Sequence, residues 1–170
     1  MSSAESTNVD VVILGGGSGG YACALRSAEL GLSVVLIDKD KLGGTCLHRG
    51  CIPTKALLHA AEIADSSRES AHFGVNTTLQ GIDMPKVNEY RDGVVGRLYK
   101  GLQGLVKSRN VTFVEGAGTL VGPNTVEVNG VRYTGKNVVL ATGSYAKSIP
   151  GLEIAGRIMT SDLALNLDYV

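Results

Sequence analysis

The sequence predicts an α/β fold: a parallel sheet with crossover helices, extended by a small antiparallel β-meander. Three observations carry that expectation. Two apolar runs, "VDVVIL" at 9 to 14 and "VVLID" at 34 to 38, flank a glycine-rich turn and an Ala/Leu-rich stretch. From 111 onward the apolar period shortens to that of strands separated by turn residues. The 23 glycines sit among Val, Leu and Ile runs, which suits tight turns and close backbone approach better than a disordered tail.

The first unit reads as strand, glycine turn, helix and strand, a right-handed βαβ crossover with parallel strands. Its helix covers "SGGYACALRSAELG" and stops at Gly31. A second helix is expected near Pro53, which the first turn tolerates, and runs through "TKALLHAAEIADSS" with Leu57, Leu58, Ala61 and Ile63 on its buried face. A third has Asp83 as cap, Pro85 just inside, and apolar positions Val87, Val94, Leu98, Leu102 and Leu105. Gly93, Gly96, Gly101 and Gly104 fall within that pattern, and close packing against another helix or a partner subunit would account for them. "VTFVEG", "GTLVG", "TVEVNGVRYTG" and "NVVLATG" then read as short strands, with Asn129-Gly130 a hairpin turn. The closing "IMTSDLALNLDYV" reads as a chain cut off rather than finished.

Composition narrows the function. Sixteen basic residues balance sixteen acidic ones, so no basic stripe offers itself to a nucleic acid. The leading "MSSAESTNVD" is neither a secretory signal nor an Arg-rich transit peptide. The longest apolar run is broken by glycines, which leaves no membrane span and a cytoplasmic default. In that compartment closely spaced cysteines point to catalysis, redox chemistry or metal binding. Cys23, alone on an apolar helix face, reads as core filler.

Two motifs carry chemistry. "GGGSGG" satisfies G-x-G-x-x-G at Gly15, Gly17 and Gly20. Gly15 permits the turn, Gly17 lets backbone approach a pyrophosphate, and Gly20 lets helix pack on strand. The helix start then offers free N–H groups to phosphates, and Asp38, ending the second strand, can bind ribose hydroxyls. A tight turn and a solvated strand-end carboxylate are the plain alternatives. The second motif is "GGTCLHRGCIPTK", which places Cys46 and Cys51 five apart. They could be buried apolar residues, or zinc ligands with His48 and His59, or a redox-active dithiol. The last requires a bend, because residues five apart on a regular helix diverge by about 140°. Gly50 permits one. Helix restarting at Pro53 leaves Cys51 near an N-terminus, where thiolate is favoured.

The pattern G-G-T-C-x-x-x-x-G-C-x-P-[ST]-K after a βαβ dinucleotide motif resembles the flavin-dependent pyridine-nucleotide disulfide oxidoreductases. "GGTCLHRGCIPTKALLHAAE" is most similar to the branch acting on dihydrolipoamide, although His48 and Arg49 stand where Asn-Val is commoner. The likeness also takes in "EGAGTL" and "VVLATGS". It implies the first part of a flavoprotein with two Rossmann-like dinucleotide-binding domains. Gly15, Gly17, Gly20 and Asp38 would hold the ADP half of FAD. Gly44, Thr45 and Cys46 would pass along its pyrophosphate and ribityl side, and Ala117 and Gly118 would meet the adenine. Thr142, Gly143 and Ser144 would lie by the cofactor, and Lys55 would reach the flavin. Cys51 would be the flavin-side sulfur and Cys46 the one exchanging with substrate.

The resemblance further implies oxidation of dihydrolipoamide, free or on the lipoyl domain of a 2-oxoacid dehydrogenase complex, with NAD as final acceptor and a homodimeric full-length chain. Residues 1 to 150 would be the first, incomplete segment of an FAD-binding domain, and 151 to 170 a connector towards an NAD-binding domain. No metal is implied, and none of His48, His59 and His72 matches the family's acid-base histidine. Another disulfide or mercuric reductase, a non-catalytic flavin-binding module for the isolated chain, and a zinc-binding regulatory domain stand as alternatives.

Overall fold

The computed structural model describes residues 6 to 169. The chain divides into two compact units, one of residues up to Cys46 with Tyr99–Ser144, the other of Leu47–Leu98 with residues from Tyr145 onward.

The first unit is a six-stranded mixed sheet with helices, an α/β fold. Its strands are β1 (Ser6–Leu14), β2 (Val34–Asp38), β3 (Thr112–Glu115), β4 (Thr119–Gly122), β5 (Thr125–Val128) and β6 (Val131–Leu140), in the order β3-β2-β1-β6-β5-β4. β1 pairs parallel with β2 and β6, β2 parallel with β3, and the β4–β5–β6 meander is antiparallel. The two readings "TVEVNGVRYTG" and "NVVLATG" merge here: β6 is one continuous strand that closes the meander on one side and the parallel sheet on the other. Gly135 makes that dual role possible, because a Cβ there would stand 2.5 Å from the Asn137 carbonyl oxygen and 3.0 Å from the Val12 nitrogen.

Both faces of the central strands are buried, as parallel strands require. Val11, Ile13, Val34 and Leu36 point to one face, where Ala24, Val106 and Val111 cover them. Val12, Val35 and Ile37 point to the other and pack against Val126 and Val128 of the meander. Each fully buried Val, Leu or Ile contributes about 1.5–3 kcal/mol. The meander's turn is the one the sequence announced: Asn129 (φ 52°) and Gly130 (φ 78°) are both left-handed, as a two-residue turn of the primed type needs.

Helix α1 (Ser18–Glu29) lays Gly20 and Ala24 on the sheet. It ends at Gly31 (φ 80°), where the Gly31 N–H donates to the Ala28 carbonyl and the Leu32 N–H to that of Ser27. Those two bonds satisfy carbonyls the helix leaves open. At the far end of the strands Asp10 accepts from the Lys136 ammonium at 2.7 Å, and from the Ser33 hydroxyl and N–H at 2.7 and 2.8 Å.

Three further helices are α2 (Gly44–Arg49), α3 (Cys51–Glu69) and α4 (Met84–Ser108). Helix α4 is capped by Asp83, whose carboxylate accepts from the Lys86 N–H at 3.2 Å. In the second unit α3 buries Pro53, Ala56 and Ala64, and a 3-10 turn (Ser70–Phe73) follows it. Leu58, Ala61 and Ile63, expected on the buried face of α3, are instead exposed, Leu58 and Ile63 by 52% and 60%, so what the helix buries is Pro53, Ala56 and Ala64. Nothing lies within 4 Å of a Cβ built on Gly93, Gly96, Gly101 or Gly104, so the expected close helix packing does not occur among the described residues. A short α5 (Ser161–Ala164) completes the fold, and no helix among the described residues is long and apolar enough to cross a membrane.

Candidate functional site

The glycine loop forms where β1 ends. Gly15 takes φ 111°, and a Cβ there would stand 2.1 Å from the Ala141 carbonyl oxygen, so only glycine fits. A Cβ on Gly20 would lie 1.7 Å from the Gly15 carbonyl oxygen. Gly20 is therefore what allows α1 to start so close to the strand. Gly17, just before α1, has open space around it except for the Gly44 Cα, 3.8 Å from the position of its Cβ.

Asp38, half-buried at the end of β2, organises this loop. One carboxylate oxygen accepts from the Gly16 N–H and the other from the Asp40 N–H at 2.9 Å. The loop is tied a second time where the Gly43 N–H donates to the Gly16 carbonyl at 2.9 Å. Gly43 and Gly44, at φ 113° and 59°, make the reversal that brings "GGT" alongside the first glycine loop.

A cleft of about 220 Å³ opens at the carboxyl ends of four parallel strands. Leu14 and Gly15 line it at the end of β1, Ile37, Asp38 and Lys39 at the end of β2, Ala117 and Gly118 after β3, and Thr142 after β6. Ligands of open α/β sheets sit at this edge. Of the residues singled out in the sequence, Gly15, Asp38, Ala117, Gly118 and Thr142 meet here. Gly17 and Gly44 lie along the glycine loops, Gly143 (φ 74°) and Ser144 continue from Thr142 as exposed chain, and Lys55 is exposed on α3. Gly118 has to be small: a Cβ there would meet Leu14 at 2.6 Å and Ile37 at 3.1 Å. Sequence reasoning missed Lys39, whose only signal is that it follows Asp38 at a strand end.

Cys46 lies on α2 and Cys51 is the first residue of α3, with Gly50 between the helices. Both are disulfide-bonded, and Cys23 is the free cysteine. In that state neither sulfur is a thiolate available to a metal. The bend expected at Gly50 is present, and α3 begins there with the Thr54 N–H and hydroxyl both donating to the Gly50 carbonyl, at 3.0 and 2.6 Å. One glycine loop thus lines a strand-end cleft, a second is tied to it, and a disulfide at a helix start follows. The chain fits the pyridine nucleotide-disulphide oxidoreductase model over residues 9–170.

The chain belongs to the pyridine nucleotide-disulphide oxidoreductase family.

Curated members of this family are similar along nearly the whole chain. A dihydrolipoyl dehydrogenase of Bacillus subtilis (strain 168) is 42% identical over 177 residues, covering 96% of this chain and 37% of that protein. Dihydrolipoyl dehydrogenase 1, mitochondrial, of Arabidopsis thaliana is 40% identical, with 100% of this chain and 35% of that protein covered. Dihydrolipoyl dehydrogenase 2 of Haloarcula marismortui is 39% identical, with 97% and 36% covered. The chain thus spans little more than a third of the length of the curated oxidoreductases it matches.

The residues present fit a dinucleotide. Positions where a Cβ is excluded or would project into the loop are glycines, free backbone N–H groups stand at the start of α1, and the cleft beside Asp38 is walled by Leu14 and Ile37.

Proposed function

We propose that this chain supplies the FAD-binding and dithiol portion of an enzyme that oxidises dihydrolipoamide to lipoamide, with NAD as the final acceptor. The observation that carries the proposal is the disulfide of Cys46 and Cys51, formed immediately after two glycine loops that suit a dinucleotide.

In this reading Gly15, Gly17, Gly20 and Asp38 hold the ADP half of FAD, with Ala117 and Gly118 at the adenine. Gly44, Thr45 and Cys46 follow the pyrophosphate and ribityl chain, and Thr142, Gly143 and Ser144 border the cofactor. Residues 1 to 150 form the first segment of the FAD domain, and 151 to 170 lead towards the NAD-binding part.

The chain's own chemistry is thiol–disulfide exchange. A thiolate of dihydrolipoamide attacks the Cys46 sulfur, forming a mixed disulfide and releasing Cys51 as thiolate. The substrate's second thiol, once deprotonated, attacks its own half of that bond. Cyclic lipoamide leaves, and the two cysteines carry the two electrons. Cys51 is the better leaving group of the pair, because the N–H groups and dipole at the start of α3 stabilise its thiolate. Lys55, one turn further on the same helix, adds a positive charge on that side. FAD, which the glycine loops and Asp38 would hold, would supply the two-electron acceptor such a dithiol needs and a hydride source for NAD. A lipoyl domain of a 2-oxoacid dehydrogenase complex is the natural carrier of the substrate, and the full-length enzyme would work as a homodimer.

The deciding experiment uses the full-length protein. Denaturation should release FAD, and NAD should be reduced with dihydrolipoamide but not with glutathione. Release of FMN or of no chromophore would refute the cofactor, and turnover of glutathione disulfide or mercuric ion instead would refute the substrate.

A further inference from the structure

We infer that Asn88 and Arg91 of α4 are a latch that pins residues 160 to 169 as a strap against that helix. Four residues of helix cannot hold themselves in water, since nucleation alone is unfavourable. Helix α5 has only four, and its order must come from its ends. Its start is closed locally, because the Thr160 hydroxyl accepts from the Leu163 N–H at 3.3 Å.

At its end the Asn166 side-chain amide donates to the Asp162 carbonyl at 2.7 Å, and the carbonyls of Leu165 and Leu167 are closed by α4. An Arg91 guanidinium nitrogen donates to the Leu165 carbonyl, and the Asn88 side-chain amide donates to the Leu167 carbonyl at 3.0 Å. The two donors are coupled. The same Arg91 nitrogen donates to the Asn88 side-chain oxygen at 3.0 Å, which turns the Asn88 NH₂ towards Leu167. Arg91 is also the most deeply placed charged residue described: it is 7% exposed, and its sole acidic contact among the described residues is Asp92, whose side chain is 67% exposed. A surface ion pair does not repay burying a guanidinium. Carbonyls at the end of a helix are good acceptors for one.

By contrast, residues 145 to 159 hold no regular element beyond one isolated bridge, Ile149 with Leu152, and include Gly151 and Gly156 at φ 81° and 60°. Regular structure, absent from 145 to 159 apart from that bridge, returns at the latch.

The test is hydrogen exchange followed by mass spectrometry on the chain and its variants. Asn88→Asp keeps, and strengthens, the acceptor for Arg91 but cannot donate to Leu167. It should speed exchange of the Leu163, Ala164, Leu165, Asn166 and Leu167 amides by about tenfold or more, while β1 and β2 stay protected. Arg91→Lys, which keeps the charge and loses the fork, should do the same. Unchanged exchange in 160 to 169, or acceleration shared equally by β1 and β2, would overturn the latch. If one variant does not fold, the other decides. The outcome is independent of which cofactor the protein binds.

Discussion

The Cα of Gly44 lies so near that of Gly17 that a Cβ added to Gly44 would stand only 2.6 Å from it. A Cβ added to Gly17 meets nothing nearer than 3.8 Å. The asymmetry separates folding from binding. Gly17→Ala should fold with a loss of about 1 kcal/mol or less, yet, on the proposed function, retain little FAD in the full-length protein, because its methyl would occupy the approach to the pyrophosphate. Gly20→Ala should lose about 3 kcal/mol or more, since its Cβ would sit on the Gly15 carbonyl. Thermal melts beside flavin content check both. A Gly17→Ala protein that melts as early as Gly20→Ala would place Gly17 among the structural glycines.

Cys46→Ser in the full-length enzyme should keep flavin and lose dihydrolipoamide turnover by several orders of magnitude. Its remaining Cys51 thiolate should give a long-wavelength absorption shoulder that Cys51→Ser lacks. Finding the shoulder in Cys51→Ser alone would exchange the two roles.

Asp38→Ala removes the acceptor for two backbone N–H groups of the loops. The loss expected is about 1–3 kcal/mol of stability, together with weaker FAD retention. Asp38→Asn, which keeps one acceptor, should retain more of the stability than of the cofactor affinity. Urea midpoints and flavin release measured on the same samples separate these effects.

The Lys136 ammonium, then the Ser33 hydroxyl and N–H, hold the Asp10 carboxyl well below its ordinary value of 3.8, and Asp10 in turn raises Lys136. A carboxyl depressed by folding adds stability above its unfolded value, which is lost as pH falls below it. A raised lysine adds stability below its ordinary 10.5, lost as pH rises through its folded value. Wild type should therefore resist urea better than Asp10→Asn at pH 7, and the gap should close as pH drops below about 3.8. A gap unchanged at about pH 2.5 would show that the pair contributes nothing through charge.

Much of this fold was legible. The βαβ unit, the Gly31 stop, the Asp83 cap, the Asn129-Gly130 turn and the bend at Gly50 each rest on local chemistry, and local chemistry is what a sequence displays. Other features left no such trace. β1 begins at Ser6 rather than at residue 9, because its polar start is held by backbone pairing with Arg132, Tyr133 and Thr134 of β6, which needs no apolar period. Helix α2 is six residues long and opens on a glycine, so neither propensity nor periodicity marks it. At the cleft, the glycines and Asp38 stood out by motif. Lys39 and the loop-tying bonds of Asp38 depend on where three separate segments meet.

The pairing of β6 with β1 also governs when the molecule can take shape. Val12 lies opposite Val138, so the central strand waits for 126 further residues before its second edge is covered. At a synthesis rate of about 5–20 residues per second that is a delay of roughly 6–25 s. During it β1, with its apolar Val11, Val12, Ile13 and Leu14, has β2 alone beside it, and its open edge is ready to pair with any extended segment it meets. Contacts so far apart in sequence are slow to close. The nascent chain is therefore most vulnerable to misassembly before Leu140 has left the ribosome, and a chaperone that shields β1 over that interval should raise the yield of folded protein more than one that acts after release.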